Sequence, residues 1–373
     1  MFNGNTYNIN QTTMGRVEMK KTDESGISYF VGLAEETNDF IYLKCGLPNK
    51  TIFENRSWHS NKLIDLNMGD IVRITTDGYL SVIYDSSSKE NVFLLTENCN
   101  SICIMCPQPP VTHKSKYYQE AKEILLMVKE SPEVIGFTGG EPLLHFNEFI
   151  DLVSTLRSVH PNTHIQLLTN GTLLEDCDKT SKLISSIGER VTFCIPLYSS
   201  IPSVHDSITK SAGSFWKTMK GIFNLSQFNA DIEIRNVVIQ QNYHELPHWA
   251  HFIAMNVPFV NHVAIMGMEP MGYAKENYDF VWIDPFDYQD QLKNAIQILK
   301  RNGVNFSIFN HQICITPKEI RPYLAKSISS WKVKYKNECY NCEVKKDCGG
   351  FFFSSIDYER KGICRQIIPR RAE

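Results

Sequence analysis

Thr96-Glu97-Asn98-Cys99-Asn100-Ser101-Ile102-Cys103-Ile104-Met105-Cys106 carries three cysteines in the spacing Cys-x3-Cys-x2-Cys. The residues leading into it, Asn91–Thr96, read as a short strand, so the cysteines lie in the loop at a strand's carboxyl end. Thiolates are the protein ligands of iron–sulfur clusters. Four would fill a [4Fe–4S] cluster. Three close together leave one iron open to chelate a substrate or cofactor, as a catalytic zinc keeps an open position. Zinc is the competing reading, because Cys103 and Cys106 form a Cys-x2-Cys that can pair with Cys339 and Cys342. That pairing leaves Cys99 without a role.

Outward from this loop the chain alternates strands and helices. Val134–Thr138, His164–Thr169, Val191–Pro196, Glu233–Ile239, His262–Ile265 and Asn305–Phe309 are strand candidates. Between them, Ala121, Ile124, Leu125 and Val128 keep the i, i+3, i+4, i+7 spacing of a buried helix face, and Leu292, Ile296 and Leu299 sample another. Asp284-Pro285 supplies a capping residue and a first-turn proline for the latter. Roughly six β/α units in a row imply a parallel sheet, open or closed into a barrel, with ligands at the strands' carboxyl ends. Upstream, Ile27–Gly32, Phe40–Leu43, Ile71–Thr75 and Tyr79–Tyr84 suit an all-β module, the last two joined across Asp77-Gly78. In that hairpin Val72 and Ile74 share one face, and Leu80, Val82 and Tyr84 share one. The first fifteen residues are polar and read as mobile or draped over a neighbour.

Composition removes several classes. The chain has 373 residues, 42% hydrophobic and 21% charged, with a formal charge of −3. That suits a globular protein and gives no footprint for a polyanion, so no nucleic-acid partner is expected. No apolar run is long enough to span a membrane, and the polar amino end lacks the build of a signal peptide. A cytoplasmic location follows, and the eleven cysteines should be reduced thiols. Cys45, Cys177 and Cys194 stand in isolated contexts and read as buried structural thiols.

The next candidate strand ends in Phe137-Thr138-Gly139-Gly140-Glu141-Pro142. Paired glycines at a strand's carboxyl end let backbone approach a ligand closely. Together with the cysteine loop one β/α unit earlier, this turn resembles the radical S-adenosylmethionine (SAM) enzymes. The resemblance implies that Cys99, Cys103 and Cys106 bind a [4Fe–4S] cluster whose fourth iron SAM chelates. It implies that Gly139, Gly140, Glu141 and Pro142 hold the SAM methionine amine and that Met105 lies near the adenine. Carried to later strand ends, it implies ribose or carboxylate contacts from Asn170, Ser200 and Arg235. For Arg235 an intra-barrel salt bridge is an equal alternative. His205-Asp206 suggests an acid–base pair, but a helix-capping loop is the more ordinary reading.

A second group, Cys339-x2-Cys342-x5-Cys348-Gly349-Gly350, is followed by Cys364. It resembles part of the SPASM extension of radical SAM peptide-modifying enzymes, which houses auxiliary clusters. Phe352 stands where that pattern has a further cysteine, which implies one auxiliary [4Fe–4S] cluster rather than two. Its ligands would be Cys339, Cys342 and Cys348 with either Cys314 or Cys364. A zinc knuckle is the alternative.

Longer strings narrow the resemblance: Leu94-Leu95-Thr96-Glu97-Asn98-Cys99-Asn100, Cys106-Pro107-Gln108-Pro109-Pro110, Ile195-Pro196-Leu197-Tyr198-Ser199, Met266-Gly267-Met268-Glu269-Pro270, Trp282-Ile283-Asp284-Pro285 and Cys348-Gly349-Gly350-Phe351-Phe352. Over about Asn91–Ser355 the chain is similar to the His-Xaa-Ser system radical SAM maturases of the HxsC type. With the strand and helix patterning, which alone gives the amino-terminal β-rich module at 1–90, this implies an α/β fold: that module, a partial (β/α)6 radical SAM barrel at 91–309, and an auxiliary-cluster domain at 310–373. It implies SAM cleavage to a 5′-deoxyadenosyl radical that abstracts hydrogen from a ribosomally made precursor peptide carrying His-Xaa-Ser repeats, leaving a modification such as a crosslink. The implied partners are that peptide, a second radical SAM protein, and an electron donor such as flavodoxin or ferredoxin. Glu269 is a candidate base, with structural capping its equal alternative. A radical SAM enzyme acting on a small molecule, and a non-catalytic cluster-bearing partner, both remain open.

Overall fold

The computed structural model describes residues 1–7, 9–23, 26–33, 40–45, 56–60, 64–112, 117–329 and 332–355. By packing the chain divides into two compact units. One comprises Met1–Leu95, Ser115–Phe137 and Asn147–Ile165, and the other Thr96–Lys114, Thr138–Phe146 and Gln166–Glu373.

The first unit begins with β1 (Phe2–Asn3), β2 (Asn5–Tyr7), β3 (Thr13–Asp23), β4 (Gly26–Leu33), β5 (Phe40–Cys45), β6 (Ser57–Ser60), β7 (Ile71–Ile74) and β8 (Tyr79–Tyr84). They form one sheet in the order β1-β8-β7-β3-β4-β5-β6-β2, antiparallel except for β5 and β6. Its outer strands, β1 and β2, are consecutive in the chain, so the sheet closes on itself and leaves no long unpaired edge. This overturns the reading of the first fifteen residues as mobile. Their polarity hides a closure that depends on backbone. Gly4 N–H donates to Gly78 O at 2.9 Å, and a Cβ at Gly4 would stand 2.3 Å from His59 O and 2.5 Å from the Trp58 ring. Val17, Tyr29, Leu43, Trp58 and Leu80 fill the interior. The β7–β8 hairpin forms across Asp77-Gly78 as expected, but a register shift at Ile71/Val72 turns Val82 outward, leaving it 37% exposed.

The second sheet stands in strict chain order: β9 (Glu90–Leu94), β10 (Val134–Thr138), β11 (His164–Leu168), β12 (Val191–Pro196), β13 (Asp231–Val238), β14 (His262–Gly267), β15 (Phe306–Phe309) and β16 (Leu324–Ala325). It is the curled parallel half-barrel expected, with one short strand, β16, beyond those expected. Helices α1 (Tyr117–Met127), α2 (Phe146–Val159), α3 (Cys177–Ile187), α4 (Pro202–Thr209), α5 (Ser214–Ser226), α6 (Leu246–Asn256), α7 (Tyr273–Glu276), α8 (Tyr278–Val281) and α9 (Gln289–Arg301) supply the crossovers. The longer ones bury an apolar stripe, as with Ala121, Ile124 and Leu125 on α1 and Leu292, Ile296 and Leu299 on α9. Asp284 caps a 3-10 turn at Pro285–Tyr288, accepting from Phe286 N–H, and that turn leads into α9. Among the described residues no helix is long and apolar enough to cross a membrane. Past β16, among the described residues, one further strand pair forms, β17 (Val333–Lys334) with β18 (Phe351–Phe352).

Candidate active site

The cysteine loop leaves β9 and is fixed from three sides within the second unit. Ile102 and Ile104 N–H donate to the carbonyls of Thr209 and Ile208 at the end of α4, at 3.0 and 2.9 Å. Tyr273 N–H donates to Cys106 O at 2.9 Å, and Asn277 Nδ2 to Ile104 O at 2.8 Å. Gly272 permits this approach, since a Cβ there would lie 2.7 Å from both Cys106 O and Pro107 O. Ile104 and Met105 are buried among Ile208, Ile239, Met268, Ala274 and Val281, with Cys103 packed against them.

The Gly-Gly turn secures the third side. Gly140 N–H donates to Thr96 O and Glu141 N–H to Asn98 O, each at 2.8 Å. A Cβ on Gly139 would meet Thr96 O at 2.4 Å, and one on Gly140 would meet Asn98 O at 2.2 Å. The glycines are therefore required by the backbone of the cysteine loop itself. Glu141 is wholly buried beneath them. Its carboxylate accepts from Leu143 N–H at 3.0 Å, Thr169 Oγ1 at 2.7 Å and Asn170 N–H at 2.7 Å. Burial pushes its acidity down, so its pKa is raised against the pull of those three donors. Asn170 Nδ2 in turn donates to Asn100 Oδ1 at 2.6 Å, and Asn100 to Thr172 Oγ1 at 2.9 Å.

One cavity of about 320 Å3 opens between the loop and five successive strand ends. Cys99, Cys103, Met105 and Cys106 line one side; Thr138–Gly140, Leu168–Asn170, Cys194, Pro196, Tyr198, Arg235, Val237 and Met266 line the other. The volume falls at the small end of the range for cofactor pockets. Burial pushes the Cys99 thiol up to about 11 and Cys103 to about 12, and raises Cys106. Thiols so placed ionise when a cation shares the site, which is the behaviour of cluster ligands. Among the described residues no three His, Cys, Asp or Glu side chains converge as the ligands of one ion must. A polynuclear cluster, bound at one iron per cysteine, does not require that convergence. The donor set thus fits a thiolate-held cluster.

Of the other residues read from sequence, Met105, Gly139, Gly140, Asn170 and Arg235 line this cavity, and Glu141, Pro142, Ser200 and Glu269 do not. Arg235 forms the salt bridge given above as its alternative, and it does so at the cavity wall. Its Nε lies 2.5 Å from Glu233 Oε1, while His262 Nδ1 lies 2.8 Å from Glu233 Oε2. Burial would raise the Glu233 carboxyl, but His262 and Arg235 outweigh it and hold it at about 2. Ser200 belongs to a separate group: its Oγ lies 3.2 Å from buried Glu245 Oε2 and 2.8 Å from Nδ1 of the exposed His248. Glu269 pairs with Lys332 Nζ at 3.0 Å. His205 and Asp206 prove to be the ordinary case: Asp206 caps α5 through Gly213 N–H, Phe215 N–H and Ser214 Oγ, and burial holds the His205 imidazole down at about 4.

Among the lining residues that sequence reasoning did not single out are Cys194 and Tyr198. Cys194 is buried, as expected of an isolated thiol, but it lines the cavity, and Tyr198, also in the lining, stacks on His205. Period-two alternation from Pro196 places Cys194 on the lumen side, which was the available signal. Cys177 corrects the reading in the other direction: it begins α3 and is exposed.

In the second cysteine group, Cys339 is buried with Ile315 and Phe351, and Cys314 and Tyr335 pack against the same residues. Cys342 and Cys348 are half-buried, and Tyr335 Oη donates to Cys348 O at 2.9 Å. Cys364 lies outside the described residues.

The family comparison agrees with this arrangement. Residues 93–253 match the family model of the radical SAM superfamily. The antilisterial bacteriocin subtilosin biosynthesis protein AlbA of Bacillus subtilis is 24% identical over 86% of this chain and 82% of its own length. An uncharacterized protein of Methanocaldococcus jannaschii is 28% identical over 46% of this chain, which spans 59% of that protein. Among solved structures, native anSMEcpe with bound AdoMet and the Cp18Cys peptide aligns at a TM-score of 0.46 and 18% identity, over 59% of this chain and 62% of that one. Residues 93–253, with the cysteine loop at their start, are accordingly an enzyme domain of the radical SAM superfamily.

Proposed function

We propose that the chain is a radical SAM maturase that modifies a ribosomally made peptide, of the HxsC type, with His-Xaa-Ser repeats in its substrate and a crosslink as the kind of product. The observation that carries the enzymatic part is the cavity that three half-buried cysteines share with five strand ends. The peptide part is supported by similarity to the subtilosin biosynthesis protein along 86% of the chain, well beyond the radical SAM domain alone.

In this reading Cys99, Cys103 and Cys106 hold the SAM-binding [4Fe–4S] cluster, and cluster and SAM together supply the bond-breaking chemistry. The chain's own residues orient and enclose. Gly139 and Gly140 bring backbone to the cavity wall, Met105 and Tyr198 present apolar surface, and Asn170 and Arg235 offer donors for ribose and carboxylate. Glu141 and Pro142 act one layer back, by fixing the turn. Ser200 and Glu269, each already hydrogen-bonded off the cavity, are positioning candidates rather than direct contacts. Cys339, Cys342 and Cys348 hold one auxiliary [4Fe–4S] cluster. Cys314 is the favoured fourth ligand, because it packs on the residues that bury Cys339. A second radical SAM protein and a flavodoxin- or ferredoxin-like donor complete the set of partners.

Coexpression with a His-Xaa-Ser-repeat peptide, followed by tandem mass spectrometry, tests the substrate. A mass change that appears with the wild-type chain and vanishes with Cys103→Ala supports the proposal. An unmodified peptide, in the presence of the partner protein and with SAM cleavage intact, refutes the peptide assignment.

A further inference from the structure

We propose that the Tyr198 hydroxyl donates a hydrogen bond to a sulfur of the cluster held by Cys99, Cys103 and Cys106, and so raises that cluster's reduction potential. The proposal rests on reading those three cysteines as the cluster's ligands. Tyr198 stands two residues past β12, and its backbone is fixed from both sides. Its N–H donates to His205 Nδ1 at 3.2 Å, and its carbonyl accepts from Asn242 Nδ2 at 2.9 Å and Asn236 Nδ2 at 3.2 Å. Both asparagines are buried, as is Trp249, whose Nε1 donates to the preceding Leu197 O at 2.9 Å. The ring is held as well. It stacks on His205 with centroids 5.7 Å apart and planes 26° from parallel. It packs against the buried group that contains Ile104 and Met105, as Cys103 does, and it lines the cavity with Cys99, Cys103 and Cys106. Among the described residues its hydroxyl has no hydrogen-bond partner. Burial raises the phenol's pKa, and charge on Cys103, Cys106 and Cys99 adds to that effect, so all three sulfurs lie within its electrostatic reach.

A phenol so placed is a donor without an acceptor, and leaving it unpaired away from water costs free energy. A thiolate-held cluster supplies the complement, sulfurs that accept hydrogen bonds and carry negative charge. Tyr198 shares its packing group with Cys103, which favours a cluster sulfur over SAM as the acceptor. Reduction adds one electron to the cluster, so the bond is stronger in the reduced state and the potential rises. The proton stays on the phenol throughout, and no covalent bond is made or broken.

The test is an anaerobic redox titration of the reconstituted full chain without SAM, followed by electron paramagnetic resonance. It is repeated in a Cys342→Ala, Cys348→Ala background, so that the cavity cluster titrates alone. Tyr198→Phe keeps the ring and removes the donor. The account predicts unchanged iron content and a lower midpoint, with the reduction equilibrium weakened about tenfold, or about 59 mV for a one-electron couple. Tyr243→Phe, on a 3-10 turn outside the cavity lining, should leave the midpoint where it is. An unchanged midpoint in Tyr198→Phe with its full iron overturns the proposal. Iron lost from Tyr198→Phe, or an equal shift in Tyr243→Phe, does so too, because ring packing would then be the cause. A shift that appears only once SAM is added assigns the hydroxyl to SAM and likewise overturns it. Replacing Cys99, Cys103 and Cys106 by Ala in the same background separates the two layers. Iron that survives those substitutions refutes the ligand reading, whereas iron lost there beside an unmoved Tyr198→Phe midpoint refutes this proposal alone.

Discussion

Glu233 joins residue chemistry to the cavity most directly, because it faces Arg235 and His262 at once. Its folded-state pKa of about 2 lies below the ordinary carboxylate value, so its stabilisation is whole above about pH 4.5 and is lost as pH falls towards 2. The shift corresponds to about 3 kcal/mol at most. Glu233→Gln should therefore lower stability at neutral pH by up to about that amount and flatten the acid limb, read by urea unfolding of the apo chain from pH 7 to 3. An unchanged acid limb would show that the pair contributes nothing. The thiols give a second residue-scale expectation. Exposed Cys177 should alkylate in the native apo chain, whereas Cys45, buried and with its thiol pushed up by that burial, should react only on unfolding. Peptide mapping after brief iodoacetamide treatment checks the order. At this scale the sequence made spacing legible but not direction. Cys-x3-Cys-x2-Cys and Gly-Gly-Glu-Pro announced themselves, yet whether Ser200 or Glu269 faces the cavity depends on contacts with His248, Glu245 and Lys332, distant in the chain.

Among the elements, the Gly139-Gly140 turn and the amino-terminal strands depend most on backbone proximity. Gly140→Ala would drive a methyl into Asn98 O and the Cys99 Cβ, at 2.2 and 2.9 Å, so the cysteine loop must shift. A cost of about 1–3 kcal/mol and loss of cluster iron are expected. Gly213→Ala meets nothing within 4 Å and pays only for its φ of +76°, so it should keep full iron content. Equal iron loss in both variants would refute the claim that the turn supports the loop. Deleting residues 1–7 should unpair β6 and β8 together, lowering the melting temperature and promoting association at the new edges. A monomeric deletion variant with unchanged melting temperature would contradict the closure. Strands with clean patterning, such as Val134–Thr138 and Val191–Pro196, were legible to the residue. β1, β2 and β16 were not, because each is two or three residues long and is specified by its partners rather than by its own pattern.

For the whole molecule, the radical SAM domain explains the chain from residue 93 to 253, and the cysteines beyond it call for an account of their own. The fold class was readable because six β/α repeats leave few topologies open. The closed β module was only half readable, since polarity along its first strands resembles that of a free terminus. The central claim is that the cavity beside Cys99, Cys103 and Cys106 cleaves SAM. The direct measurement is 5′-deoxyadenosine formed by the anaerobically reconstituted, reduced protein in the presence of SAM, quantified by mass spectrometry beside Cys103→Ala. The account predicts product from the wild type and none above background from the variant. No product from a wild type that carries its full iron complement, with peptide and partner protein present, would contradict it.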